Sequence, residues 1–123
     1  MKRIIVWILT IVAAAMFLLA GTLKLAGVPM EVQLFDTIGV GQWFRYFTGA
    51  LEVGGALGLF VPALAPFAAL LLAMVMIGAV LTHLFIAGGS PLIPIVLLAI
   101  TIAIAYLRRE QISARVATSP ATA

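Results

Sequence analysis

Cysteine is absent from this chain of 123 residues, and histidine occurs once. Without thiols there is no disulfide chemistry within the chain, no cysteine-ligated iron–sulfur cluster and no cysteine zinc site. One histidine cannot supply both axial ligands of a haem, although a symmetric dimer would have two. Charge is scarce as well: Lys, Arg, Asp and Glu make up 9% of the residues, against about 25% in an average soluble domain. With 65% hydrophobic residues, that scarcity points to a membrane protein of one domain. Five of the seven cations, Lys2, Arg3, Arg108, Arg109 and Arg115, lie at the two ends, with no basic patch interleaved with aromatics between them. The net charge of +3 therefore speaks for membrane topology and not for nucleic acid.

Hydrophobic residues fill the space that charge leaves. A membrane helix needs about 20 mostly apolar residues, and Gly and Pro divide the chain into four such runs. Helices are predicted over about 4–26, 43–61, 67–87 and 92–107. Gly27-Val28-Pro29, Pro62 and Gly88-Gly89-Ser90-Pro91 end the first three. Lys2-Arg3 before an apolar run also resembles a signal peptide. The run from Ile4 to Gly21 exceeds an h-region of about 7–15 residues, so it reads as a retained first helix, cleavage near Ala20 being the alternative. Val28–Gly41 is the longest connection and carries Glu31 and Asp36; a short interfacial helix through Val32, Leu34, Phe35 and Ile38 and a plain loop both fit it. The tail, 108–123, is rich in Ala, Ser and Thr and is predicted to be disordered and cytoplasmic. The expected architecture is all-α: an integral membrane four-helix up-down-up-down bundle over 1–107, because short loops make consecutive helices antiparallel neighbours. The Lys/Arg excess puts both termini in the cytoplasm.

Three ionisable residues interrupt these runs: Lys24, Glu52 and His83. A charge at membrane depth costs roughly 2.5–3.5 kcal/mol on insertion scales, so such residues tend to face the bundle interior and mark a site. At a rise of 1.5 Å per residue, Glu52 lies about 13 Å, and His83 about 6 Å, from the outer ends of their helices. Lys24 lies about one turn from the outer end of its own. All three therefore share the outer half, where a polar pocket is expected. Periodicity places Arg45, Thr48 and Glu52 on one stripe, with Gly49, Gly55 and Ala56 beside Glu52. Phe17, Ala20 and Gly21 lie beneath Lys24, and Met76, Ala79 and Val80 beneath His83. Small residues favour close helix approach in lipid. Ala50, Gly54 and Gly58 form a second ridge on helix two, suited to another helix of this chain or of a second protomer.

Each residue also has a plainer reading. Lys24 can snorkel to the headgroups, His83 can sit at the interface with a satisfied hydrogen bond, and Arg45 can anchor there beside a belt of Trp43 and Tyr46. Glu52 is too deep and too short to snorkel, and a structural bridge to Lys24 or His83 would satisfy it.

The segments Leu19–Leu25, Phe47–Leu59 and Met76–His83 resemble the DoxX-like family of small four-helix membrane proteins. They carry in order the patterns G-x-x-K, G-x-L-E-x-x-G-A-x-G-L and G-A-x-x-T-H. The resemblance covers about residues 1–107 and matches Lys24, Glu52 and His83 to the family's polar residues. It implies a bundle in a bacterial plasma membrane. The family's namesake is a membrane subunit of a thiosulfate:quinone oxidoreductase, relatives associate with redox and detoxification proteins, and others resemble assembly or chaperone-type membrane proteins, so the resemblance implies either catalysis or scaffolding.

Three function classes follow. In the first, the chain is a quinone-linked redox or detoxification membrane subunit. Lys24, Glu52 and His83 then do the chemistry, Arg45 and Thr48 contact the ligand, and Phe17, Met76 and Phe47 line the path of a quinone tail. No electron carrier is evident in the chain, so a membrane-associated redox enzyme would deliver the electrons. In the second, the chain is a non-catalytic assembly or scaffold subunit that docks through the Ala50, Gly54, Gly58 ridge, to a partner or to its own copy. The third, a small proton-coupled exporter, fits less well: such exporters carry their membrane Glu in the first helix, where this chain has Lys24.

Overall fold

The computed structural model describes residues 2–117, with side chains up to residue 114. The described residues are helical, with no strand among them. Six α-helices follow in order: α1 (Lys2–Ala26), α2 (Pro29–Ile38), α3 (Trp43–Gly58), α4 (Ala65–Thr82), α5 (Leu92–Leu107) and α6 (Arg109–Ala117). A π-helical turn, His83–Ala87, prolongs α4. α1 packs on α3, α3 on α4, α4 on α5, and α5 back on α1. α2 lies across one end, touching α1, α3 and the π turn.

The breaks are made by the residues that the sequence offers for them. Gly27 takes a left-handed φ of 71° after α1. Its N–H bonds Lys24 O at 3.2 Å and that of Val28 bonds Leu23 O at 3.3 Å. This pair of bonds is a Schellman cap, which uses Gly because a Cβ is disfavoured at positive φ. Pro29 then opens α2 at a position that needs no N–H. α3 ends at Gly58, short of the predicted Val61, but bonds from Phe60 N to Leu57 O and from Val61 N to Gly58 O continue its path up to Pro62.

The connection 28–41 contains a helix, so of the two readings of that segment the helical one holds. The tail needs a correction. Where disorder is expected over 108–123, α6 occupies Arg109–Ala117. Its start is tied down by Arg108 Nη1 donating to Gln111 Oε1 at 2.9 Å and by Gln111 Nε2 donating to Pro62 O at 3.0 Å. Glu110 adds an acid to its first turn, where the helix dipole favours negative charge. The tail from 118 to 123 and the side chain of Arg115 lie outside the described residues.

Small residues and a few large ones form the core: Ala13, Ala14, Phe17, Ala56, Leu59, Ala69, Leu72 and Ile104 among them. Outside, the surface is apolar. Ile8 and Ile11 of α1, Met74 and Leu81 of α4, Phe85 of the π turn and Ile102 of α5 are all exposed. Soluble monomers rarely present continuous apolar surface of this kind. α1 and the stretch Ala65–Ala87 are each long and apolar enough to cross a membrane; α5 is apolar but shorter. The molecule is therefore built like a membrane protein.

Candidate functional site

Two glycines set the approach of α1 to α3. A Cβ on Gly21 would lie 2.9 Å from Gly49 O, and one on Gly49 would lie 3.0 Å from Gly21 O. Gly27 and Lys24 meet Arg45 while Gly21 meets Val53, so the two helices run antiparallel. Lys24 follows Gly21 by three residues, and Glu52 follows Gly49 by three. At 1.5 Å per residue this separates their Cα positions by roughly 9 Å along the axis. Helical side chains tilt toward their own N-terminus. On antiparallel helices those tilts point toward each other, and the long lysine stem closes the gap.

The result is an ion pair with Lys24 Nζ 3.1 Å from Glu52 Oε1. The Glu52 side chain is 1% exposed. Its other oxygen, Oε2, is buried without a hydrogen-bond partner. A second carboxylate reaches the same ammonium: Glu31 Oε2 of α2 stands 3.8 Å from Lys24 Nζ. One cation thus serves two acids. Glu31 was not among the residues expected here, although Pro29 and its first-turn position in α2 signal a helix start that could have located it.

Arg45 is buried. Its Nη1 donates to Lys24 O, and its Nε donates to Gln42 Oε1 at 2.7 Å. Gln42 Nε2 in turn donates to Asp36 Oδ1 at 2.8 Å and to Val32 O at 3.1 Å. The guanidinium therefore satisfies an end carbonyl of α1, where a cation also suits the helix dipole, and links α1, α2 and α3. It also lies over the Tyr46 ring, 4.2 Å from its centre.

The structure does not bring His83 into the Lys24–Glu52 pair. His83 Nδ1 lies 2.9 Å from Gly88 O, across the π turn that His83 itself begins. Gly88 and Gly89 both have positive φ and fold the loop back onto the ring. His83 is half-buried, with its ring hydrogen-bonded to its own loop. Thr48 is half-buried on α3. Phe17 and Met76 are in the core cluster. Phe47 is 50% exposed and stacks with Phe44, in an aromatic group with Trp43 and Phe35. Ala50 and Gly54 are exposed, and Gly54 and Gly58 line an open groove of about 260 Å³ with Leu64, Phe67 and Leu71.

Described residues that form helices and no strand, an apolar exterior, membrane-length helices and a buried Lys–Glu pair define a class of small helical membrane protein. The family model of the DoxX-like family matches residues 8–105, and the chain belongs to that family. Neither a curated protein nor a solved structure matches it.

Proposed function

We propose that α1, α3, α4 and α5 cross a bacterial plasma membrane as an up-down-up-down bundle, with both termini cytoplasmic. We further propose that the chain is the membrane subunit of a quinone-linked redox or detoxification system. The observation that carries this reading is Glu52: a carboxylate shut from solvent, one oxygen on Lys24 and the other without a partner. Such a group can take up or release a proton where water cannot compete. Lys24 has three N–H donors and can point one at a ligand carbonyl while holding Glu52. A quinone would supply the electron chemistry, and its carbonyls accept hydrogen bonds. In this reading Lys24 orients the head and Glu52 holds the exchanging proton, both in the outer half of the bundle. The electron donor is a partner enzyme, since no carrier is evident in the chain.

Ubiquinone and menaquinone analogues should raise the melting temperature of the purified protein in proportion to the logarithm of ligand concentration. Lys24→Met should abolish the shift, and Leu70→Ala, on an exposed apolar position, should keep it. Because His83 is bound to its own loop, His83→Leu should weaken the shift less than Lys24→Met does. No shift with any quinone would leave the assembly role as the better reading; the exposed Ala50 and Gly54, with the groove that Gly54 and Gly58 line, support that second reading.

Topology has its own test. The chain lacks cysteine, so introduced cysteines report without background. Those at Asp36 and Ser90 should react with an impermeant thiol reagent from outside intact cells, and one at Ser113 should not. Labelling of Ser113 from outside would overturn the assignment of the termini.

A further inference from the structure

The other end of the molecule carries a second charged feature. Lys2, Arg3, Val6 and Trp7 of α1, Pro62 of the α3–α4 link and Arg108 after α5 line an open depression of about 440 Å³. Three cations line it, and no carboxylate does. Among the described residues none of the three is in an ion pair; the acid nearest in sequence, Glu110, is exposed on α6.

Arg108 is held at this place. Its Nη1 donates to Gln111 Oε1 at 2.9 Å, and Gln111 Nε2 donates to Pro62 O at 3.0 Å. Its Nε, by contrast, is buried and has no acceptor. A buried donor without an acceptor is costly, and a guanidinium suits a tetrahedral oxyanion. Burial lowers the pKa of Arg108 from its ordinary value, but a guanidinium remains a cation at neutral pH.

We propose that this depression binds the phosphate of an anionic phospholipid headgroup, with Lys2, Arg3 and Arg108 around the phosphate oxygens and Val6 and Trp7 against the glycerol region. The apolar walls favour a lipid over free phosphate. They continue into Ile4, Ile5 and Ile8, which are exposed along α1, and Trp is enriched at the level of the headgroups. Basic pockets between helices at the cytoplasmic face suit anionic lipid heads. The proposal is independent of any ligand at Glu52, since the two features lie at opposite ends of α1.

The test uses the full chain in mild detergent, titrated with phosphatidylglycerol, with phosphatidylcholine or with inorganic phosphate while melting temperature is followed. Phosphatidylglycerol should stabilise the protein and saturate; phosphatidylcholine and inorganic phosphate should not. Arg108→Gln should weaken the apparent affinity for phosphatidylglycerol about five-fold, and Lys2→Gln with Arg3→Gln about twenty-five-fold, at about one cation's worth of lipid attraction each. Lys2 and Arg3 are exposed, so that pair decides the matter if Arg108→Gln fails to fold. Arg109→Gln should behave like the parent, because Arg109 lies outside the depression, over the Tyr106 ring. Equal stabilisation by phosphatidylcholine would overturn the proposal. So would equal stabilisation by inorganic phosphate, which would mark a soluble-anion site, or a loss with Arg109→Gln as large as with Arg108→Gln, which would mark general charge attraction.

Discussion

Glu52→Ala should lower the stability of the purified protein by about 3–5 kcal/mol, the usual cost of stripping one partner from a buried ion pair. Lys24 would keep only Glu31, at 3.8 Å, while its own side chain is 13% exposed. That leaves an ammonium short of both water and partner. Glu52→Gln should cost less, since its amide oxygen can still accept from Lys24 in the same volume. Glu31→Gln should cost at most about 1 kcal/mol, as expected of a longer and more exposed pair.

The double variant is the more telling measurement. Lys24→Met with Glu52→Leu removes both charges together, and replacing a whole buried pair by apolar groups is often neutral or stabilising. Its loss should therefore be well below the sum of the losses of Lys24→Met alone and Glu52→Leu alone. Denaturation in mild detergent, followed through Trp7 and Trp43, gives all three values for one cycle. Salt should change them little, because buried pairs are weakly screened. Additive losses, or a Glu52→Ala variant that melts like the parent, would mean that Glu52 and Lys24 do not depend on each other.

The pair was open to reading because its causes are local. Lys24 and Glu52 interrupt apolar runs, each has a glycine three residues before it, and small-residue stripes indicate which helix faces meet. The breaks were equally plain, since Gly27, Pro29, Pro62 and Gly88 cannot continue a helix without penalty. His83 was harder. Periodicity assumes a regular α-helix, but the helix widens into a π turn from His83 onward, and two positive-φ glycines bring Gly88 O to the ring. That closure depends on the loop as a whole and not on spacing. For Arg45 the sequence offers an interfacial anchor or a ligand contact, because no stripe shows that an α1 carbonyl waits for it. Glu31 belonged to a segment with two equal readings, and only the packing of α2 across the bundle end brings it to Lys24. α6 depends on contacts with Pro62, 49 residues earlier, which composition cannot register.

Gly21→Leu should disrupt the fold more than any apolar substitution on the exposed face. Even the first added carbon, as in Gly21→Ala, would sit 2.7 Å from Val53 Cγ2 and 2.9 Å from Gly49 O. The valine methyl can turn aside; the carbonyl belongs to the backbone of α3 and cannot. The helices must then separate, and overpacking of this kind typically costs about 1–3 kcal/mol. Alanine recovers some of that through helix propensity, by up to about 1 kcal/mol, so Gly21→Ala should show a moderate net loss and Gly21→Leu a large one. The same separation lengthens the reach from Lys24 to Glu52. Gly21→Ala should consequently cost less in the Lys24→Met, Glu52→Leu background, where no ion pair remains to be stretched. Gly54→Ala is the control. Nothing lies within 4 Å of a Cβ there, so the helix gains propensity without a clash and should melt at or above the parent. If Gly21→Ala and Gly54→Ala melt alike, α1 and α3 are not in backbone contact, and the ion pair between them loses its scaffold.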